Sequence, residues 1–117
     1  MTLDHFATCV GTAEYLTRCG VEKVILHHSN GVDIETEIDN KKISFEYERP
    51  GTHTQSELFE KKKRAEQEYD RVIFIAQKAN LNFVQKACGD ENVVLRGVEL
   101  KELLDELTFT IKNTKIP

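Results

Sequence analysis

The stretch GVDIETEIDNKKISFEYE, residues 31–48, decides how this chain is built. It alternates twice. Val32, Ile34, Thr36 and Ile38 fall on one side, with Asp33, Glu35, Glu37 and Asp39 on the other. Beyond Asp39, Ile43, Phe45 and Tyr47 oppose Ser44, Glu46 and Glu48. A period of two over two runs is the signature of paired strands, and DNKK between them reads as a tight turn. With Asn40 and Lys41 as the turn residues, Asp39 faces Lys42, Ile38 faces Ile43, Glu35 faces Glu46 and Asp33 faces Glu48. The expected product is a hairpin with one oily face and one face crowded with carboxylates.

The flanking sequence supplies the other elements. Phe6, Cys9, Val10, Ala13 and Leu16 recur at helical spacing over residues 3–19, and Gly20 is a natural stop. VEKVILHH, residues 21–28, reads as a strand preceding the hairpin. After it, Pro50 and Gly51 break the strand, and Thr54 with Glu57 has the spacing of a capping box. The helix that follows carries a stripe of Leu58, Ala65 and Tyr69, with Phe59 beside it and Lys62 inside it; Lys61, Lys63 and Arg64 lie farther from its centre. DRVIFIAQ is a buried strand, residues near 81–88 a helix closed by Gly89, and NVVLRG a fifth strand. Leu100, Leu103, Leu104 and Leu107 mark a last helix, and TFTIKNTKIP reads as a tail or edge element. The expected fold is α/β, a mixed sheet flanked by helices in the order αβββαβαβα, as one domain over residues 1–117.

Composition narrows the function. A chain of 117 residues with 39% hydrophobic and 31% charged residues is that of a soluble globular domain. No apolar run approaches the roughly 20 residues that cross a bilayer, and the first residues lack a secretory pattern, so a cytoplasmic location without membrane contact is expected. Cys9, Cys19 and Cys88 form no C-x-x-C pair and are expected as reduced thiols. His27, His28 and His53 lack the spacing of a zinc centre, and His53 reads as a loop residue. No phosphate-binding glycine loop or G-x-S-x-G motif is present, so no nucleotide cofactor and no serine hydrolase chemistry are expected. A net charge of −4 argues against gripping nucleic acid by bulk positive charge, although acids that hold a divalent metal reverse the local sign.

The helix, three-stranded meander, helix and strand over roughly residues 3–76, with acids on adjacent strands, resemble the PD-(D/E)xK nuclease superfamily, the restriction endonuclease-like and Holliday junction resolvase-like enzymes. Residues beyond 76 then form a C-terminal βα extension. The resemblance maps the family's second-strand acid onto Asp33, where Val32 stands in place of the usual proline. It maps the acid of the (D/E)xK motif onto Glu46, and the lysine position onto Glu48. Glu14 corresponds to a first-helix glutamate of resolvase-like members. EYER at residues 46–49, with Lys62 and Tyr69, is also similar to nuclease domains of the replication-relaxation type.

What the resemblance implies is a metal-dependent DNA endonuclease of a mobile-element, recombination or defence system. Mg²⁺ or Mn²⁺ would be held by Asp33, Glu46 and the backbone carbonyl of Tyr47, because hard cations prefer oxygen ligands. Glu48 would be a further ligand or orient the attacking water, and Lys62 would take over the missing lysine. Arg49, Glu14 and Tyr69 are auxiliary candidates. Related enzymes pair active sites, so a homodimer is the expected assembly. The absent proline, Glu48 and the acidic charge favour a second reading, a module of the same fold that has lost catalysis and binds DNA or a partner protein.

Overall fold

A computed structural model describes residues 2–27 and 31–114. Its elements are α1 (Leu3–Arg18), β1 (Lys23–Leu26), β2 (Ile34–Ile38), β3 (Lys41–Tyr47), α2 (Gln55–Glu66), β4 (Arg71–Ala76), α3 (Leu81–Cys88), β5 (Val93–Leu95), α4 (Val98–Leu107) and α5 (Phe109–Thr114). The five strands form one sheet in the order β1-β2-β3-β4-β5. The first three are an antiparallel meander, and β3, β4 and β5 run parallel. The strand β3 is therefore the switch between the two halves.

Both parallel connections step in the same direction across the sheet. A common handedness sends α2 and α3 to the same face, where Leu58, Ala65, Val84 and Cys88 pack on Val72, Phe74 and Ala76. The other face receives α1 and α4: Cys9, Leu16, Leu100 and Leu104 close over Ile34, Ile38, Ile43, Phe45, Tyr47, Ile73 and Ile75. The α/β sheet flanked by helices read from the sequence is the architecture observed.

Local details differ from the reading. The hairpin turn is made by Asp39 and Asn40, both with positive φ of 53° and 65°, so Ile38 pairs with Lys41, Thr36 with Ile43 and Glu35 with Ser44. A two-residue turn with both central residues left-handed suits Asp and Asn and strains Lys. Extending this register by one step sets Asp33 opposite Glu46 rather than Glu48. The chain bends before Ile34, which turns Val32 away from Ile34 into the cluster under α2 and α3. The segment 109–114 is helical, not an extended tail, because Thr108 carries the chain on from α4: its N–H and hydroxyl both bond the Leu104 carbonyl. His28, read as a strand residue, lies outside the described residues.

The β3 side of the hairpin's polar face is buried, while Glu37 and Asp39 on the other side reach solvent. Ser44, Glu46 and Glu48 are 0%, 7% and 2% exposed, covered on the side where α2 packs. The Ser44 hydroxyl has no hydrogen-bond partner among the described residues. Removing an unpaired buried hydroxyl loses no bond, so Ser44→Ala is expected to leave the unfolding free energy from urea denaturation unchanged or raise it by about 1 kcal/mol. Phe45→Ala, which empties a fully buried position on the opposite face, is expected to cost about 3–5 kcal/mol in the same measurement.

Candidate functional site

Asp33, Glu46, Tyr47, Glu48 and Arg49 all line one cleft of about 450 Å³ at the end of β3, where His5 from α1, Lys61 from α2 and His27 and His53 also stand. The cleft lies outside the carboxyl end of β3, which pairs in parallel with β4, and the carboxyl ends of parallel strands are the usual ligand side of α/β sheets. Its floor is held firmly. The Glu48 N–H continues the ladder to the Ile75 carbonyl at 2.9 Å, and the buried Asn80 side chain donates to the Glu48 carbonyl at 3.1 Å.

Each acid has a distinct environment. Asp33, freed from strict alternation by the bend, accepts from the Tyr47 N–H at 2.8 Å and lies 3.1 Å from His5 Nε2. Glu48 lies 2.9 Å from His53 Nδ1 and 2.9 Å from Lys61 Nζ. Glu46 lies 3.4 Å from the same ammonium. One lysine thus serves both buried glutamates. Burial, with Asp33 adding and Lys61 opposing, pushes the Glu46 carboxyl up to about 8. Burial pulls Lys61 down, but Glu46 and Glu48 outweigh it and hold the ammonium above its ordinary value.

The sequence-derived candidates divide cleanly. Asp33, Glu46 and Glu48 converge, and Arg49 stands at the rim of the cleft. Lys62 does not join them: its ammonium pairs with Glu66 one turn on, at 3.7 Å, and Lys61 reaches the glutamates instead. Glu14 is exposed on α1 and pairs with Arg18 at 3.6 Å, outside the cleft. Tyr69 lies beyond the end of α2 and donates to Glu35 at 2.7 Å, in a second hollow of about 590 Å³ that meets the cleft at Glu46 and Lys61. That bond holds Glu35 below its ordinary value. The Tyr47 group in contact with Asp33 is its N–H.

His53 is the loop residue the sequence suggests and reaches Glu48 from there, whereas His5 and Lys61 are not among the sequence-derived candidates. Nothing local links His5 to an acid 28 positions away, whereas Lys61, three residues after Leu58 and four before Ala65, was available to a helical reading.

Three carboxylates line the cleft, a single ammonium meets two of them, and the ionised form of Glu46 is disfavoured by its surroundings. Compared with known protein families, curated proteins and solved structures, the chain has no match.

The raised Glu46 has a consequence for stability. Between the ordinary carboxyl value of 4.5 and about 8, the unfolded chain releases a proton that the folded chain keeps. Stability attributable to this group therefore falls as pH rises through that window, by at most about 1.4 kcal/mol per unit. Chemical denaturation from pH 5 to 8 is expected to show this slope in metal-free buffer, and Glu46→Gln is expected to flatten it.

Proposed function

We propose that this chain is a divalent-metal-dependent nuclease that hydrolyses phosphodiester bonds of DNA, in the manner of the PD-(D/E)xK enzymes it resembles. The observation that carries the reading is the buried Glu46 and Glu48 pair, bridged by Lys61 and facing Asp33 at the switch strand of the sheet. Mobile-element, recombination and defence systems use such enzymes, and paired clefts in a homodimer would cut both strands of a duplex.

Asp33 and Glu46 would hold Mg²⁺ or Mn²⁺, with the Tyr47 carbonyl as the expected third donor. When bound, the cation supplies positive charge to the scissile phosphate and acidifies an attacking water. Lys61 Nζ, standing between Glu46 and Glu48, is in position to hold the attacking oxygen and to favour its deprotonated form by charge. Glu48, oriented through His53 and Asn80, would accept the proton. Arg49 at the rim would take a neighbouring phosphate oxygen.

One feature favours a non-catalytic module that binds DNA or a partner protein: each acid already has a protein partner, His5 on Asp33 and Lys61 on both glutamates. Calorimetry with Mn²⁺ separates the two readings. Micromolar heat that disappears in Glu46→Gln supports the enzyme, and silence supports the module.

Cleavage of plasmid, branched and single-stranded DNA in Mg²⁺ or Mn²⁺ is the direct test. Asp33→Asn and Lys61→Ala are each expected to lower the rate at least ~100-fold, the scale of losing a charge-stabilising group. Lys62→Ala is expected to cut near the wild-type rate. Cleavage that survives Asp33→Ala combined with Glu46→Ala would sink the assignment.

A further inference from the structure

The first turns of α1 bring a different donor chemistry to the rim of the cleft. His5 and Cys9 are four residues apart and so share one helix face. Cys9 Sγ lies 4.0 Å from His5 Nδ1, and His5 Nε2 lies 3.1 Å from Asp33 Oδ2. One ligand atom from each of the three residues falls within 4.8 Å of the other two. The placement is built rather than incidental. The Thr2 hydroxyl accepts from the His5 N–H at the start of α1, and the Tyr47 N–H fixes Asp33 from the sheet. Cys9 is 2% exposed, with its sulfur turned to the histidine.

We propose that His5, Cys9 and Asp33 form a three-ligand site for a thiophilic divalent cation of the Zn²⁺ class, distinct in chemistry from the oxygen-donor site but sharing Asp33 with it. A tetrahedral Zn²⁺ with bonds of ~2.0–2.3 Å separates its ligand atoms by ~3.3–3.6 Å, so the observed spread closes with a side-chain shift of about 1 Å. Imidazole nitrogen, thiolate sulfur and one carboxylate oxygen are a Zn²⁺ set, and Mg²⁺ avoids the first two. His5 and Asp33 both line the cleft, so water has access to the site from that side. On binding, the S–H bond of Cys9 breaks, the sulfur–metal bond forms and the proton leaves to solvent. No electrons are transferred.

The two sites share Asp33, whose Oδ2 is already engaged by His5 and the Tyr47 N–H, and we infer competition between them for this one aspartate. A Zn²⁺ ion on His5 and Cys9 withdraws the aspartate that Mg²⁺ or Mn²⁺ needs, so the site is an inhibitory one. This second step rests on the nuclease reading; the Zn²⁺ site itself does not.

The experiment uses the full chain with Co²⁺ as a visible substitute for Zn²⁺. One Co²⁺ per chain is expected, with tetrahedral visible bands and a thiolate charge-transfer band in the near ultraviolet, both displaced by Zn²⁺. Cys9→Ser is expected to remove the charge-transfer band and His5→Gln to weaken binding at least tenfold. Cys19→Ser is expected to retain both. Circular dichroism checks folding, and His5→Gln, at a half-buried position, stands in if Cys9→Ser does not fold. No charge-transfer band, a band lost with Cys19→Ser, or a band kept in both Cys9→Ser and His5→Gln would overturn the site. Calorimetry then tests exclusivity: Mn²⁺ heat is expected to vanish on the Zn²⁺-loaded chain and to persist in Cys9→Ser at the same Zn²⁺ concentration. Mn²⁺ heat undiminished on the Zn²⁺-loaded chain would overturn exclusivity. A thiolate band without any Mn²⁺ heat upholds the Zn²⁺ site and removes the oxygen-donor reading; Mn²⁺ heat without the band does the reverse.

Discussion

Two glutamates on one strand, buried where α2 packs and sharing a single lysine, set the terms for this fold. Ionised carboxylates leave water at a cost of several kcal/mol each unless paired and hydrogen-bonded. Glu46 and Glu48 both depend on Lys61, which reaches them from α2, and Glu46 still holds its proton well above the ordinary carboxyl value. That requirement fixes the rotation of α2 about its axis as firmly as Leu58 and Ala65 do. It also explains the break at Pro50 and Gly51: the chain must leave β3 sharply and return over it, and the capping box at Thr54 then starts the helix in the right place. The polar and apolar contacts of α2 thus impose the same geometry.

A second network anchors the opposite side. The Tyr47 hydroxyl donates to Asp4 at 2.5 Å and accepts from Gln77 at 2.6 Å and Arg96 at 2.8 Å, while Arg96 also pairs with Asp4. These residues come from α1, β3 and the segments that follow β4 and β5. One tyrosine therefore ties the start of α1 to the ends of three neighbouring parallel strands. Because Asp4 precedes His5, this latch also determines where the histidine ring meets Asp33. The hydrogen bond from Tyr47, with help from Arg96, holds Asp4 below its ordinary value, so the network is charged on both sides near neutrality.

The strands, most of the helices and the placing of Ser44, Glu46 and Glu48 on one face are legible because they follow from local periodicity. What failed was of two kinds. Some signals are present in the sequence but ambiguous: Asp39 and Asn40 suit a turn with positive φ better than Asn40 and Lys41, and Lys61 fits the buried stripe of α2 as well as Lys62 does. The alternation of Thr108 to Ile111 misled in the same way, since four residues cannot distinguish a frayed helix from a strand. Other features had no local signal. The bend that turns Val32 under α2 and α3, and Asp33 toward α1, depends on packing between distant segments. So do the partnership of His5 with Asp33 and that of His53 with Glu48, and a linear reading sees each histidine as an isolated polar residue.

The charge imbalance in the cleft links stability to ligand chemistry. Well-packed apolar residues in place of Glu46, Glu48 and Lys61 would often be as stable as the ionic cluster or more so, so burial alone does not account for it. A cation that binds only the folded chain adds stability by mass action, and it acts most on the group whose ionised form the protein tolerates least. Here that group is Glu46, disfavoured by burial and by Asp33. Positive charge placed between these two carboxylates relieves both causes at once, lowering the proton affinity of Glu46 while strengthening the fold. Proton affinity and stability are thus two aspects of one equilibrium, centred on the end of β3, and a cation bound there would shift both.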